Sequence, residues 1–156
     1  MDLDLAYSPP YGAAKDPVNL AGMLGENVRT GQLRLWYADD LDRVLDEALV
    51  LDVRSADEVA TGHLPGALHI PHTELRARLA EVTDAAEGRP VRVMCASGVR
   101  SAIAYRVLVQ AGFDAASLSG GILTLRATLG SRAADLLRDW SAPAPAPAPA
   151  PAQEGA

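Results

Sequence analysis

The chain is short of lysine, aromatic residues and cysteine. Of its 14 basic side chains only Lys15 is a lysine, and acidic residues outnumber basic ones to give a net charge of −6. That balance excludes a polybasic nucleic-acid or membrane-surface binder, because both need clustered positive charge. Aromatic residues make up 4% of the 156, yet an apolar content of 49% can fill the core of one domain. A single cysteine, Cys95, cannot close an intramolecular disulfide, form a C-x-x-C redox pair or build a cysteine-based zinc site, so no metal is expected. No stretch approaches the roughly 18 apolar residues of a membrane span. The start, MDLDLAYSPP, has neither the basic n-region nor the apolar h-region of a secretory signal. These absences point to a cytoplasmic protein of a reducing compartment.

What is present falls into three parts: residues 1–30, 31–140 and 141–156. The last is an alternating Ala-Pro tract, SAPAPAPAPAPAQEGA. Its prolines remove backbone donors and hold their neighbours extended, which predicts a solvated, polyproline-like spacer. The middle part alternates strand and helix signals. LRLWYA (33–38), ALVLDV (48–53), ALHI (67–70), VRVM (91–94) and AASL (115–118) read as strands. Asp39 or Asp40 is placed to cap a helix carrying Leu41, Val44, Leu45 and Ala48. Ser55 and Glu58 have capping-box spacing. Thr73 is expected to cap a helix with Leu75, Leu79 and Val82 on one face, and Val99, Ile103 and Val107 to line another. ILTLRATLG starts a last helical piece. Such alternation predicts an α/β fold with a mostly parallel sheet, whose ligand site lies at the carboxyl ends of the strands. Asp52 and Cys95 both occupy such ends.

The cysteine lies in Cys95-Ala96-Ser97-Gly98-Val99-Arg100, between a strand and a helix. In such a turn the amides of Ala96 to Arg100 fan around the sulfur, and the helix dipole adds positive potential. Both effects favour thiolate, so the pKa of Cys95 is expected below its free value. Gly98 permits the tight curl, and Arg100 steadies the loop or a bound anion. A buried, inert cysteine is the alternative reading of a lone thiol after an apolar strand.

CASGVRS followed by SGGI resembles the active-site segment of rhodaneses, which are sulfurtransferases. VLDVRSADEVATGHLPGALHIP (50–71) is similar to the other hallmark of that family. The resemblance covers roughly residues 33–127 and implies a rhodanese-like fold: a five-stranded, mostly parallel sheet with helices on both faces. It also implies that Cys95 carries sulfane sulfur as a persulfide, taken from a small-molecule persulfide or thiosulfate donor and passed to a thiol acceptor. Asp52 and Arg54 match the family's "DVR", whose charges brace the loop region. Glu58 matches as well, although capping alone accounts for it. His63 falls in the GHLPGA turn, where it reads as a turn-organising hydrogen bonder or as a general base. His69 and His72 receive no role and are expected at the surface or a sheet edge. Val59 stands where the family usually has an aromatic residue. The loop has no charge but Arg100, which disfavours a dianionic donor such as thiosulfate. Cysteine phosphatases and arsenate reductases need C-x5-R, a loop one residue longer than the C-x4-R here. A catalytically idle module used for docking or redox sensing is the other alternative.

AYSPPYGAAKDPVNLAG (6–22) resembles the end of the dimerisation domain of flavin-dependent coenzyme A-disulfide reductases, NADH oxidases and persulfide reductases. Asp16 reads as the N-cap and Pro17 as N1 of a helix carrying Val18, Ala21, Met23 and Leu24. The resemblance implies a flavin reductase domain as partner, with FAD, NAD(P)H and CoA belonging to a full-length flavoenzyme and no cofactor within this chain. Tyr7 and Tyr11 match a region near the reductase site and are candidates for contacts with coenzyme A or a partner chain.

Overall fold

In the computed structural model, residues 17–137 are described, with side chains from residue 21 onward. Asp16, Tyr7, Tyr11 and the Ala-Pro tract lie outside the described residues. The chain runs α1 (Pro17–Arg29), β1 (Leu35–Trp36), a 3-10 turn (Ala38–Asp40), α2 (Leu41–Glu47), β2 (Leu49–Asp52) and α3 (Ala56–Ala60). It continues through β3 (Leu68–His69), α4 (Leu79–Ala86), β4 (Val91–Met94), α5 (Val99–Gln110), β5 (Ala115–Leu118), α6 (Gly121–Leu129) and α7 (Arg132–Leu136). The five strands form one sheet in the order β1-β5-β4-β2-β3, and each pairing is parallel. The fold is therefore the rhodanese-like α/β sheet that the sequence predicts.

Alternation along each strand divides the core in two. Leu49, Leu51, Val91, Val93 and Ala115 face one side, where they meet Val82 and Ala86 of α4 and Ala104, Tyr105 and Leu108 of α5. Val50, Met94, Ala116 and Leu118 face the other, against Leu41 and Val44 of α2 and Ile122 and Leu125 of α6. Both faces are covered, which is why β2 reads as a continuous apolar run. Among the described residues no helix is long and apolar enough to cross a membrane.

Three local expectations are corrected. The first strand shrinks from 33–38 to two residues, with Trp36 Nε1 donating to the Val93 carbonyl at 3.3 Å. Asp40 does precede α2, but its carboxylate accepts from the Tyr37 amide at 3.0 Å and so closes the 3-10 turn instead of capping α2. Thr73 caps no helix: α4 begins at Leu79. The His72 amide is tied to the Val53 carbonyl at 3.1 Å, and the turns that follow drop Leu75 into the core without a regular helix. Leu75 and Val82 are both fully buried, so the seven-residue spacing signals burial correctly and the backbone incorrectly.

A fourth correction bears on the site. Val99 and Ile103 of α5 are exposed, at 68% and 53%, while Ser101, Ala104, Tyr105, Val107 and Leu108 are buried. The helix is rotated so that a hydroxyl, not an isoleucine, faces the sheet.

Candidate active site

The site is built at the carboxyl end of β4, the middle strand of the sheet. Cys95 follows Met94 directly and is 1% exposed, with its sulfur at the floor of the loop. The amides of Gly98 and Ser101 donate to Sγ at 3.2 and 3.3 Å. The Ser101 hydroxyl lies 3.4 Å from the same sulfur. Burial pushes the thiol up, but the Ser101 hydroxyl and the amides of Ser101, Gly98 and Ser97 outweigh it, and the net shift is downward from the ordinary value. The expectation of a thiolate-favouring turn agrees with this geometry.

Two glycines allow the curl. Gly98 has φ +103, a conformation that costs an L side chain strain even though a Cβ there would meet only ordinary contacts. Gly121 has a steric reason as well: a Cβ would stand 2.4 Å from the Ala96 carbonyl oxygen and 2.6 Å from that of Cys95. This close approach lets the Ile122 and Leu123 amides donate to the Cys95 and Ala96 carbonyls at 2.8 and 3.1 Å. The first turn of α6 therefore takes the loop's carbonyls, leaving amides to face the sulfur.

The charged residues form a brace around this cradle. Asp52 and Arg54 are 1% and 2% exposed and form a buried ion pair, with Nη2 to Oδ2 at 2.6 Å. Arg54 also donates to the carbonyls of Glu58 and Gly62 at 3.0 and 2.8 Å. It thus ties α3 to the turn that follows. His63 is half-buried in that turn, next to Gly62. His69 lies on the edge strand as expected, and its Nε2 is 2.9 Å from the Arg54 carbonyl oxygen. Val59 is fully buried in the core.

Glu58 does more than cap. The Ser55 amide and hydroxyl donate to its carboxylate at 3.0 and 2.9 Å, and the Glu58 amide returns the contact to Ser55 Oγ at 3.4 Å. The same carboxylate takes Arg100 in a two-pronged pair, both bonds 2.6 Å long. The Arg100 guanidinium holds the Glu58 carboxyl down to about 2, with the Ser55 contacts helping against partial burial. Arg100 is thus paired with Glu58 before any substrate arrives, while its guanidinium also interacts with Cys95.

Sequence reasoning missed this pairing across 42 residues, because neither motif names the other. It also missed two serines. Ser101 and Ser117 are fully buried, and the Ser117 hydroxyl donates to Ser101 Oγ at 2.9 Å. A signal existed: Ser117 is the one hydroxyl in the otherwise apolar strand AASL, and Ser101 follows Arg100 directly.

The rhodanese-like domain profile matches residues 37–127, over half of the chain and all of this site. The chain belongs to the rhodanese-like domain family. A tRNA sulfurtransferase of Desulfurococcus amylolyticus is 31% identical over 93 residues, covering 60% of this chain and 18% of that protein. The reduced Bacillus anthracis CoADR-RHD superposes with a TM-score of 0.73 and 32% identity, over 88% of this chain and 24% of that one. An NAD-dependent persulfide reductase from A. fulgidus gives a TM-score of 0.63 and 38% identity, over 78% and 21%. This rhodanese-like chain thus spans a quarter or less of the length of each of these relatives.

Proposed function

We propose that this rhodanese-like chain is a sulfurtransferase domain that carries sulfane sulfur as a persulfide on Cys95, with a small-molecule persulfide as the favoured donor. The observation that carries the reading is the convergence of two amides and a hydroxyl on one buried sulfur. In loading, the Cys95 thiolate attacks the outer sulfur of the donor, a new S–S bond forms, and the donor's inner sulfur leaves as a thiolate. In delivery, an acceptor thiolate attacks the outer sulfur of the persulfide. The bond to Cys95 breaks, and its electron pair returns to Sγ. Amides aimed at the sulfur stabilise that charge without reorganising.

The pairing of Arg100 with Glu58 supports the preference for a monoanionic donor. Thiosulfate brings two negative charges to a cradle whose loop guanidinium, Arg100, is already bound by Glu58, as Arg54 is by Asp52. A phosphatase reading is disfavoured on the same ground, together with the short C-x4-R loop.

The whole assembly is part of the proposal. Likeness to CoADR-RHD and to the persulfide reductase extends beyond the rhodanese-like region and supports association with a flavin reductase domain. The exposed Met23, Leu24 and Val28 of α1, at 61%, 49% and 38%, fit such a neighbour. In this reading FAD and NAD(P)H belong to that neighbour and not to this chain. The Gly98 and Ser101 amides are spent on Sγ, the Ile122 and Leu123 amides on the loop carbonyls, and the Arg54 amide on Asp52, so these amides are not open to a pyrophosphate. No step is routed through those groups.

The test is sulfur transfer from glutathione persulfide and from thiosulfate to an acceptor thiol. Wild type is expected to use the persulfide with the higher kcat/KM, and Cys95→Ser to use neither. Equal function of Cys95→Ser and wild type within the assembled oxidoreductase would instead support an idle docking module.

A further inference from the structure

Ser101 and Ser117 form a chain of buried hydroxyls leading to the sulfur, and hydrogen counting shows how it works. With the thiol protonated, Ser101 Oγ accepts from Cys95 and from Ser117 and donates to the Gly98 carbonyl at 3.1 Å. Both lone pairs and the one hydrogen of Ser101 are then in use. When Cys95 loses its proton, Sγ can only accept, and the contact survives only if the Ser101 hydrogen turns toward it. The turn leaves nothing unpaired, because the Gly98 carbonyl also accepts the Ala102 amide at 3.0 Å. The Ser117 hydroxyl still occupies one lone pair of Ser101, holding Oγ in place and polarising its O–H bond. A hydroxyl fully buried in the middle of the sheet is costly unless it is bonded, and Ser101 is the partner it has been given.

We propose that Ser117 is a positioning residue for sulfur transfer: it holds Ser101 so that the Ser101 hydroxyl swings from the Gly98 carbonyl to Cys95 Sγ whenever that sulfur carries the negative charge. This rests on the transfer reading above. The charge is on Sγ before loading and again as delivery ends. In delivery the acceptor thiolate bonds to the outer sulfur, the S–S bond breaks, and the departing pair settles on Sγ, where the Ser101 hydrogen meets it. The relay therefore assists delivery, in which Sγ is the leaving group. In loading Sγ is the nucleophile, and the same hydrogen bond makes it more abundant as thiolate but less reactive.

The other charged or titratable groups near Cys95 are Arg100 of α5 with Glu58 of α3, Asp52 with Arg54 at the end of β2, and His69 of β3 on the Arg54 carbonyl. None bonds to either serine hydroxyl, so comparison among serine variants leaves them constant.

The experiment is the pH dependence of Cys95 alkylation by iodoacetamide in wild type, Ser101→Ala, Ser117→Ala and the double variant, each checked by thermal melting. Loss of a hydrogen bond to a charged sulfur is expected to raise the midpoint by about one unit in Ser101→Ala. Ser117→Ala is expected to raise it by roughly half as much, since it acts by polarising its neighbour. The double variant is expected to match Ser101→Ala. Above both midpoints, Ser117→Ala is expected to load from glutathione persulfide no more slowly than wild type, yet to deliver sulfur several-fold more slowly. A merely structural serine would not split the two steps. A Ser117→Ala midpoint equal to that of wild type, or one that adds in full to Ser101→Ala, overturns the relay. Expected midpoints in a protein that takes up no sulfur would uphold the relay and overturn the transfer reading.

Discussion

Glu58→Gln keeps the shape of the side chain and removes the charge that holds Arg100. Gln offers one acceptor oxygen where the carboxylate serves Arg100 twice and Ser55 twice, and its amide hydrogens face the guanidinium. The carboxyl is held at about 2 against an ordinary 4.5, which sets a ceiling of about 3.4 kcal/mol on the stabilisation. The side chain is 35% exposed, and solvent screening reduces this to roughly 1–2 kcal/mol. That corresponds to a fall in Tm of about 3–8 °C for a domain of this size. Because the folded pKa is depressed, the stabilisation is complete above about pH 4.5 and drains away as pH falls toward 2. Urea unfolding of wild type and Glu58→Gln at pH 7 and pH 3 reads it directly. The stability gap should be full at pH 7 and clearly smaller at pH 3. Equal gaps at both pH values, or none at pH 7, would refute the ion pair as the source.

Other expectations concern the cradle and its supports. Gly121→Ala drives a Cβ into the Ala96 and Cys95 carbonyls and is expected to cost about 2–3 kcal/mol by overpacking, with loss of persulfide loading, measured by unfolding and by mass. Asp52→Ala leaves the Arg54 guanidinium buried without its partner and should cost about 3–5 kcal/mol, read as a fall in the unfolding midpoint. The alkylation rate of Cys95 in wild type should reach half its maximum at a pH below that of a free thiol, since the loop contacts outweigh burial; a midpoint at or above the free value would contradict the amide cradle.

Much of the fold was legible because both faces of the sheet are covered. VRVM was read with its observed bounds and ALVLDV to within a residue at either end, since apolar runs bounded by helices admit few alternatives. The Ser55–Glu58 box was legible because it is local. Misreadings arose where one periodicity serves two backbones. Leu75 and Val82 share a burial pattern that consecutive turns satisfy as well as a helix does. On α5, Val99 and Ile103 looked like the inner face, but the need to aim the Ser101 amide and hydroxyl at the sulfur turned them outward. At the site, Cys95 and its loop stood out as a continuous motif. The Glu58–Arg100 clamp and the Ser117–Ser101 contact did not, because each joins residues that only the folded sheet brings together.

The central claim is that Cys95 carries sulfur. Intact mass of the reduced protein after exposure to glutathione persulfide, beside Cys95→Ser treated alike, tests it most directly. A gain of one sulfur atom in wild type, absent from the variant and lost on adding an acceptor thiol, is the predicted result. No gain in wild type, or an equal gain in Cys95→Ser, would contradict it.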